Sequence, residues 1–116
     1  MKGHKKLQLA SLVVAVAAAT SAFHASAQSE FLFRQLAGYT IVGVMNISGW
    51  YDTNGKHGDA FEGCQYGRAI IFDGNKQLTC VGYGYQYGYH PDAVIFSRGG
   101  SWKMLVEGQM YDMVNQ

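Results

Sequence analysis

Val81-Gly82-Tyr83-Gly84-Tyr85-Gln86-Tyr87-Gly88-Tyr89 is the stretch on which the fold turns. Tyrosine holds every second position from 83 to 89. Alternate side chains of an extended chain face opposite sides. Tyr83, Tyr85, Tyr87 and Tyr89 therefore share one face, with successive rings about 7 Å apart. Gly82, Gly84, Gln86 and Gly88 share the other face, which is nearly bare backbone. Each ring can bury about 150 Å², so four left in the open make a patch of roughly 600 Å², more than soluble monomers usually leave idle. Two readings follow. In one, neighbouring strands cover the rings, which become core and cross-strand pairs with their hydroxyls at the rim. The bare face then lets another strand or a helix approach closely. In the other, the rings form a stacking platform for a glycan or a protein, which Trp50, Tyr51 and Trp102 could extend, though these three serve equally well as core. Tyr and Trp suit that task because they present a flat apolar face with a polar tip and lose little entropy on binding.

Working outward, the chain reads as short strands between glycine-rich turns. Tyr39 to Tyr51 is rich in β-branched and aromatic residues, with Gly43 and Gly49 marking bends or bulges. Residues 52–59, Asp-Thr-Asn-Gly-Lys-His-Gly-Asp, are turn chemistry throughout and read as an exposed loop. Gly67 to Phe72 is a strand, Asp73-Gly74-Asn75-Lys76 a hairpin turn, and Gln77 to Tyr89 a long return strand. His90-Pro91-Asp92 interrupts it. Ala93 to Ser97, Trp102 to Val106 and Gln109 to Val114 follow, joined by turns at Arg98-Gly99-Gly100-Ser101 and Glu107-Gly108. Ser29 to Ala37 can form a short helix capped by Ser29 and stopped by Gly38, with a frayed terminal segment as the alternative. The expected class is all-β, mainly antiparallel. Five to seven short strands roll into a small SH3-like barrel or a sandwich, with one short N-terminal helix; a helix-capped meander is the alternative.

Residues 1–27 read as an export signal. Met1-Lys2-Gly3-His4-Lys5-Lys6 is a positive n-region, Leu7 to Ala19 is mostly apolar, and Ala25-Ser26-Ala27 is a small-x-small cleavage site. Gln8, Ser11, Thr20, Ser21 and His24 interrupt or end the apolar run, against the roughly 20 apolar residues a spanning helix needs. The rest, 28–116, is expected to be a single small β domain, periplasmic or secreted, with no membrane span. Three of the chain's nine basic residues leave with the signal, so six face eight acidic ones. A net-acidic domain without a Lys/Arg cluster is a poor nucleic-acid binder.

Cys64 and Cys80 are the only cysteines, and export places them where disulfides persist. One bridge is possible. It closes a loop of about 17 residues, worth about 3 kcal/mol in the chain-entropy description. The spacing suits neither a C-x-x-C motif nor a zinc knuckle. If Gly74-Asn75 is a two-residue loop, Ala69 lies opposite Cys80, and an extended chain would leave Cys64 roughly 16 Å too far away. The chain must therefore bend between Cys64 and Arg68, and Gly67 permits it.

Catalytic and metal candidates are thin. His57 lies near Asp52, Asp59 and Glu62, and His90 beside Pro91 and Asp92, yet no spacing fixes either set. Asp52 and Asn54 begin like a calcium loop, but Lys56, His57 and Gly63 stand where a ligand, the glycine and the closing glutamate belong. No nucleophile elbow, phosphate loop or dinucleotide fingerprint occurs. A non-catalytic domain without cofactor or metal is expected. It would bind an envelope glycan or a protein through Tyr83, Tyr85, Tyr87, Tyr89, Trp50 and Trp102. The alternatives are an inhibitor or immunity-type protein acting through the 52–59 loop, a small hydrolase using His57 or His90, and a purely structural secreted domain.

Phe61-Glu62-Gly63-Cys64, Ile70-Ile71-Phe72-Asp73-Gly74, Cys80, Tyr83-Gly84-Tyr85, Pro91-Asp92-Ala93-Val94-Ile95, Glu107-Gly108 and Tyr111-Asp112-Met113 together resemble a pattern in small exported proteins of alphaproteobacteria. That resemblance covers most of the chain after the signal. It implies export and a compact β domain, and it carries over no functional residues.

Overall fold

The computed structural model describes residues 29–116; the export signal read over 1–27 lies outside them. The described residues fall into two units, divided between Ala37 and Gly38. The first contains a helix over 29–35, with a Glu30–Arg34 ion pair one turn apart. Its last turn tightens through Leu36 N–H to the Phe33 carbonyl, and Gly38 follows at φ +81°.

The second unit is a β barrel. Its strands are β1 (Thr40–Tyr51), β2 (His57–Gly58), β3 (Ala69–Phe72), β4 (Lys76–Cys80), β5 (Asp92–Arg98), β6 (Ser101–Val106) and β7 (Gln109–Val114). All pairings are antiparallel, in the order β2-β1-β3-β4-β7-β6-β5. A further pairing of β1 with β5 closes six of the seven strands into a ring. The expected all-β class is therefore realised as a barrel and not as a sandwich.

β1 makes closure possible. Its first half pairs with β5 and its second half with β3. The register slips between Ile41 and Gly43 and again between Ile47 and Gly49, the two glycines at which the sequence marks bends. Each bulge adds a residue to one strand and bends it, which lets one ribbon serve two partners. Inward side chains alternate along the strands: Ile47, Ile70, Phe72, Leu78, Ile95, Met104, Val106 and Met113 are all buried.

Two local expectations are corrected. The 73–75 loop has three residues, because Phe72 pairs with Lys76 and Ala69 with Thr79 instead of Cys80. Gly74 and Asn75 both take positive φ, at 83° and 59°, and Asp73 joins them in the turn. The second correction concerns residues 81–89. β4 ends at Cys80, and the expected continuation of that strand to Tyr89 is absent.

The Cys64–Cys80 disulfide is present, with Cα atoms 5.7 Å apart. The chain turns over residues 65–68 to bring them together. Arg68 N–H bonds the Gln65 carbonyl, and Gly67, at φ +86°, donates to the Cys80 carbonyl at 2.9 Å. The bend at Gly67 stands as the sequence requires it.

Candidate binding face

Residues 81–91 leave β4 and cross one end of the barrel as a strap before entering β5. The pairings put at this end the last residues of β1, β4 and β6 and the first of β3, β5 and β7. The strap meets the 61–64 segment in two isolated antiparallel bridges, Cys64 with Gly84 and Phe61 with Gly88. Four backbone bonds of 2.8–3.0 Å make them. Four steps of strap span three steps of its partner, so a regular ladder cannot run between the bridges. The expected long strand is thus reduced, over 84–88, to two isolated bridges.

The alternation of faces survives without the ladder. Tyr83, Tyr85, Tyr87 and Tyr89 are 81%, 79%, 61% and 69% exposed, and every residue between them is half-buried. The reading in which neighbouring strands cover the rings is overturned. Close approach on the glycine side explains the outcome. A Cβ on Gly84 would sit 2.9 Å from the Tyr111 ring, and one on Gly63 would sit 2.0 Å from the Gly84 carbonyl oxygen. At Gly84 the strap lies too close to the barrel end for a side chain on that face, while the tyrosines on the other face point to solvent.

Gln86 is the one large side chain on the glycine side. Its amide donates to the Val106 carbonyl at 2.9 Å, and its carbonyl oxygen accepts from the Tyr111 hydroxyl at 2.7 Å. Tyr111 is 6% exposed, and its ring meets Phe61 edge-on with centroids 5.7 Å apart. Burial pushes the Tyr111 hydroxyl up to about 12, because desolvation disfavours the phenolate. The strap is also tied at both ends. Val81 N–H bonds the Asp112 carbonyl, and Asn46 donates to the His90 carbonyl at 2.7 Å.

Beneath the adjoining loop lies a buried charge. Arg68 is 5% exposed and makes two contacts to the Asp52 carboxylate, at 2.7 and 3.1 Å. It also donates to the Glu62 and Gly63 carbonyls, and its guanidinium carbon lies 3.8 Å from the Trp50 ring centroid. The ring nitrogen of Trp50 donates to Glu62 at 2.9 Å. Arg68 thus joins the end of β1, the 61–64 segment and the start of β3.

The six candidate aromatic residues are only partly brought together. The four tyrosines form one row. Trp50 is 9% exposed and belongs to the core, so it offers no ring to a partner. Trp102 sits near the start of β6, at the opposite end of the barrel. Tyr66, in the 65–68 turn, is 69% exposed and joins the exposed tyrosines although no alternation marks it in the sequence. Arg68 and Gln86 were equally inconspicuous there. Gln86 has one sequence signal, as the lone large residue in the glycine row.

The histidines bond to main chain. His90 Nε2 lies 2.6 Å from the Asp59 carbonyl oxygen, so that nitrogen carries a proton, and the ring stacks on Tyr89 with centroids 4.1 Å apart. His57 Nδ1 faces the Gly55 carbonyl at 3.5 Å. The 52–59 loop is exposed over 53–57 and carries β2, which pairs back onto β1. Its first carboxylate is taken by Arg68. Among the described residues no three His, Cys, Asp or Glu gather as a metal set. No helix among them is long and apolar enough to cross a membrane. No protein-family model, no curated protein and no solved structure matches this chain, so the comparisons lend no support to an SH3-like relationship.

Proposed function

We propose that this is an exported, non-catalytic domain that binds a cell-envelope component or a protein partner through the tyrosine row. One observation carries the reading. Four rings on one face are 61–81% exposed, while the backbone beneath them is held by paired hydrogen bonds and by Gln86. A fixed backbone presenting flat amphipathic rings loses little entropy when sugar rings or an apolar peptide stack on it. The disulfide favours an oxidising compartment, where envelope polymers are found.

The test is co-sedimentation with purified peptidoglycan sacculi, with retention of envelope proteins as a second arm. Tyr85→Ala/Tyr87→Ala should weaken whichever interaction exists by roughly tenfold or more, from about 1 kcal/mol per stacked ring. Wild-type retention in neither arm, or a double variant that binds like wild type, refutes the reading. The 52–59 loop is the second reading, favoured by its rigid base at Asp52–Arg68 and β2. Asn54→Ala/Lys56→Ala should release a co-purifying enzyme if that loop is the inhibitory element.

A further inference from the structure

The barrel end opposite the strap holds a cavity of about 310 Å³, walled by Met45, Phe72, Leu78, Ile95 and Trp102 and reached by Lys76. That is about twice the size of a roughly 150 Å³ apolar cavity known to take up benzene. The register explains how a lysine comes to be there. Residues directly opposite in an antiparallel pair share a face. Lys76 pairs with the buried Phe72, and Leu78 with the buried Ile70, so Lys76 occupies an inward position at the rim. Trp102 pairs with the buried Met113 and is inward by the same rule. Lys76 makes no ion pair, and the Trp102 indole N–H has no acceptor, among the described residues.

An inward lysine and a spare indole donor at the mouth of an apolar cavity describe a ligand with an apolar body and one anionic end. We infer that this mouth binds a medium-chain hydrophobic carboxylate, with its tail among Phe72, Leu78 and Ile95 and its carboxylate at Lys76 and Trp102. The lysine stem lies along the apolar wall while its ammonium stays at the water boundary, as long cationic side chains commonly do. Small-molecule sites share this build, an apolar pocket with a few convergent polar groups, and the mouths of β-barrels are a frequent location.

The experiment is calorimetry on the full chain with decanoate, decanol and decyltrimethylammonium, each below its micellar concentration. Decanoate should bind saturably at one site, with decanol about fivefold weaker and the cation weaker still, as expected for a half-solvated charge pair. Lys76→Met keeps the stem and should bind decanoate and decanol equally. In the wild-type protein, decanoate should shift the Trp102 indole N–H resonance and leave that of Trp50 in place. The inference fails if decanoate shows no saturable binding, or if Lys76→Met keeps the preference for the anion. It also fails if Trp50 responds instead of Trp102, or if Tyr85→Ala/Tyr87→Ala abolishes binding, which would place the ligand at the other end.

Discussion

At one end of the barrel the chain closes over itself. The strap, the 61–64 segment and the 65–68 turn lie across it, joined by the disulfide, the bridges at Gly84 and Gly88, and the Arg68 contacts. At the other end two tight hairpins, 73–75 and Gly99-Gly100, leave the interior open to a cavity of about 310 Å³. Both ends carry aromatic side chains, in opposite senses. The closed end turns its tyrosines outward because backbone bridges at Gly84 and Gly88 and the close Tyr111 ring hold the other side against the barrel. The open end turns Trp102 inward because its register sets it beside the buried Met113. The residue type alone does not say which sense applies. Whether backbone or side chain fills the barrel end decides it.

This contrast can be broken at the closed end, beginning with the largest effect. Asp52→Ala strands the Arg68 guanidinium without its carboxylate and should cost about 3 to 5 kcal/mol, as loss of one partner of a buried ion pair does. Urea unfolding at neutral pH measures it. Gly63→Ala should cost about 3 kcal/mol, because its Cβ would meet the Gly84 carbonyl in a left-handed backbone. Amide exchange should show the protection of Gly84 and Gly88 collapsing in that variant first. Gln86→Ala should cost about 1 kcal/mol by removing the strap's side-chain bonds to the Val106 carbonyl and the Tyr111 hydroxyl. Its Tyr85 and Tyr87 resonances should broaden as the strap loosens.

The phenol under the strap gives a pH handle. The folded Tyr111 titrates at about 12 against 10 in its ordinary state, so folding favours the protonated form. Its stabilising contribution is complete below pH 10 and is lost as pH rises from 10 to 12. Thermal midpoints for wild type and Tyr111→Phe, compared across that window, should show the wild type falling more steeply. At the small end of the scale, Tyr85→Ala/Tyr87→Ala should move stability by no more than about 0.5 kcal/mol per site, since exposed rings contribute little. A larger loss would mean that the rings support the strap.

Much of the architecture was legible because its signals are local. Turn residues at 73–75, 99–100 and 107–108 delimit hairpins whose geometry depends on a few dihedral angles. Gly43 and Gly49 mark the bulges, and the two cysteines admit one pairing, which in turn requires the bend at Gly67. The loop length at 73–75 was misread because Gly74-Asn75 suits a two-residue turn, and only the pairing of Phe72 with Lys76 shows that Asp73 belongs to the loop. Trp50 stayed open between core and surface because tryptophan serves either equally well, and its burial depends on the core cluster and on Arg68, which lies 18 positions away in sequence and 3.8 Å from its ring in space.

By itself the sequence determined an antiparallel β domain with one disulfide and a segment sorting tyrosines from glycines. Alternation and turn chemistry act over a few residues and need no knowledge of neighbours. Only the tertiary structure decided which sorted face met water. That choice rests on Tyr111, Gly63 and the Val106 carbonyl, groups from distant parts of the chain whose closeness leaves no room for a side chain at Gly84 and gives Gln86 its partners.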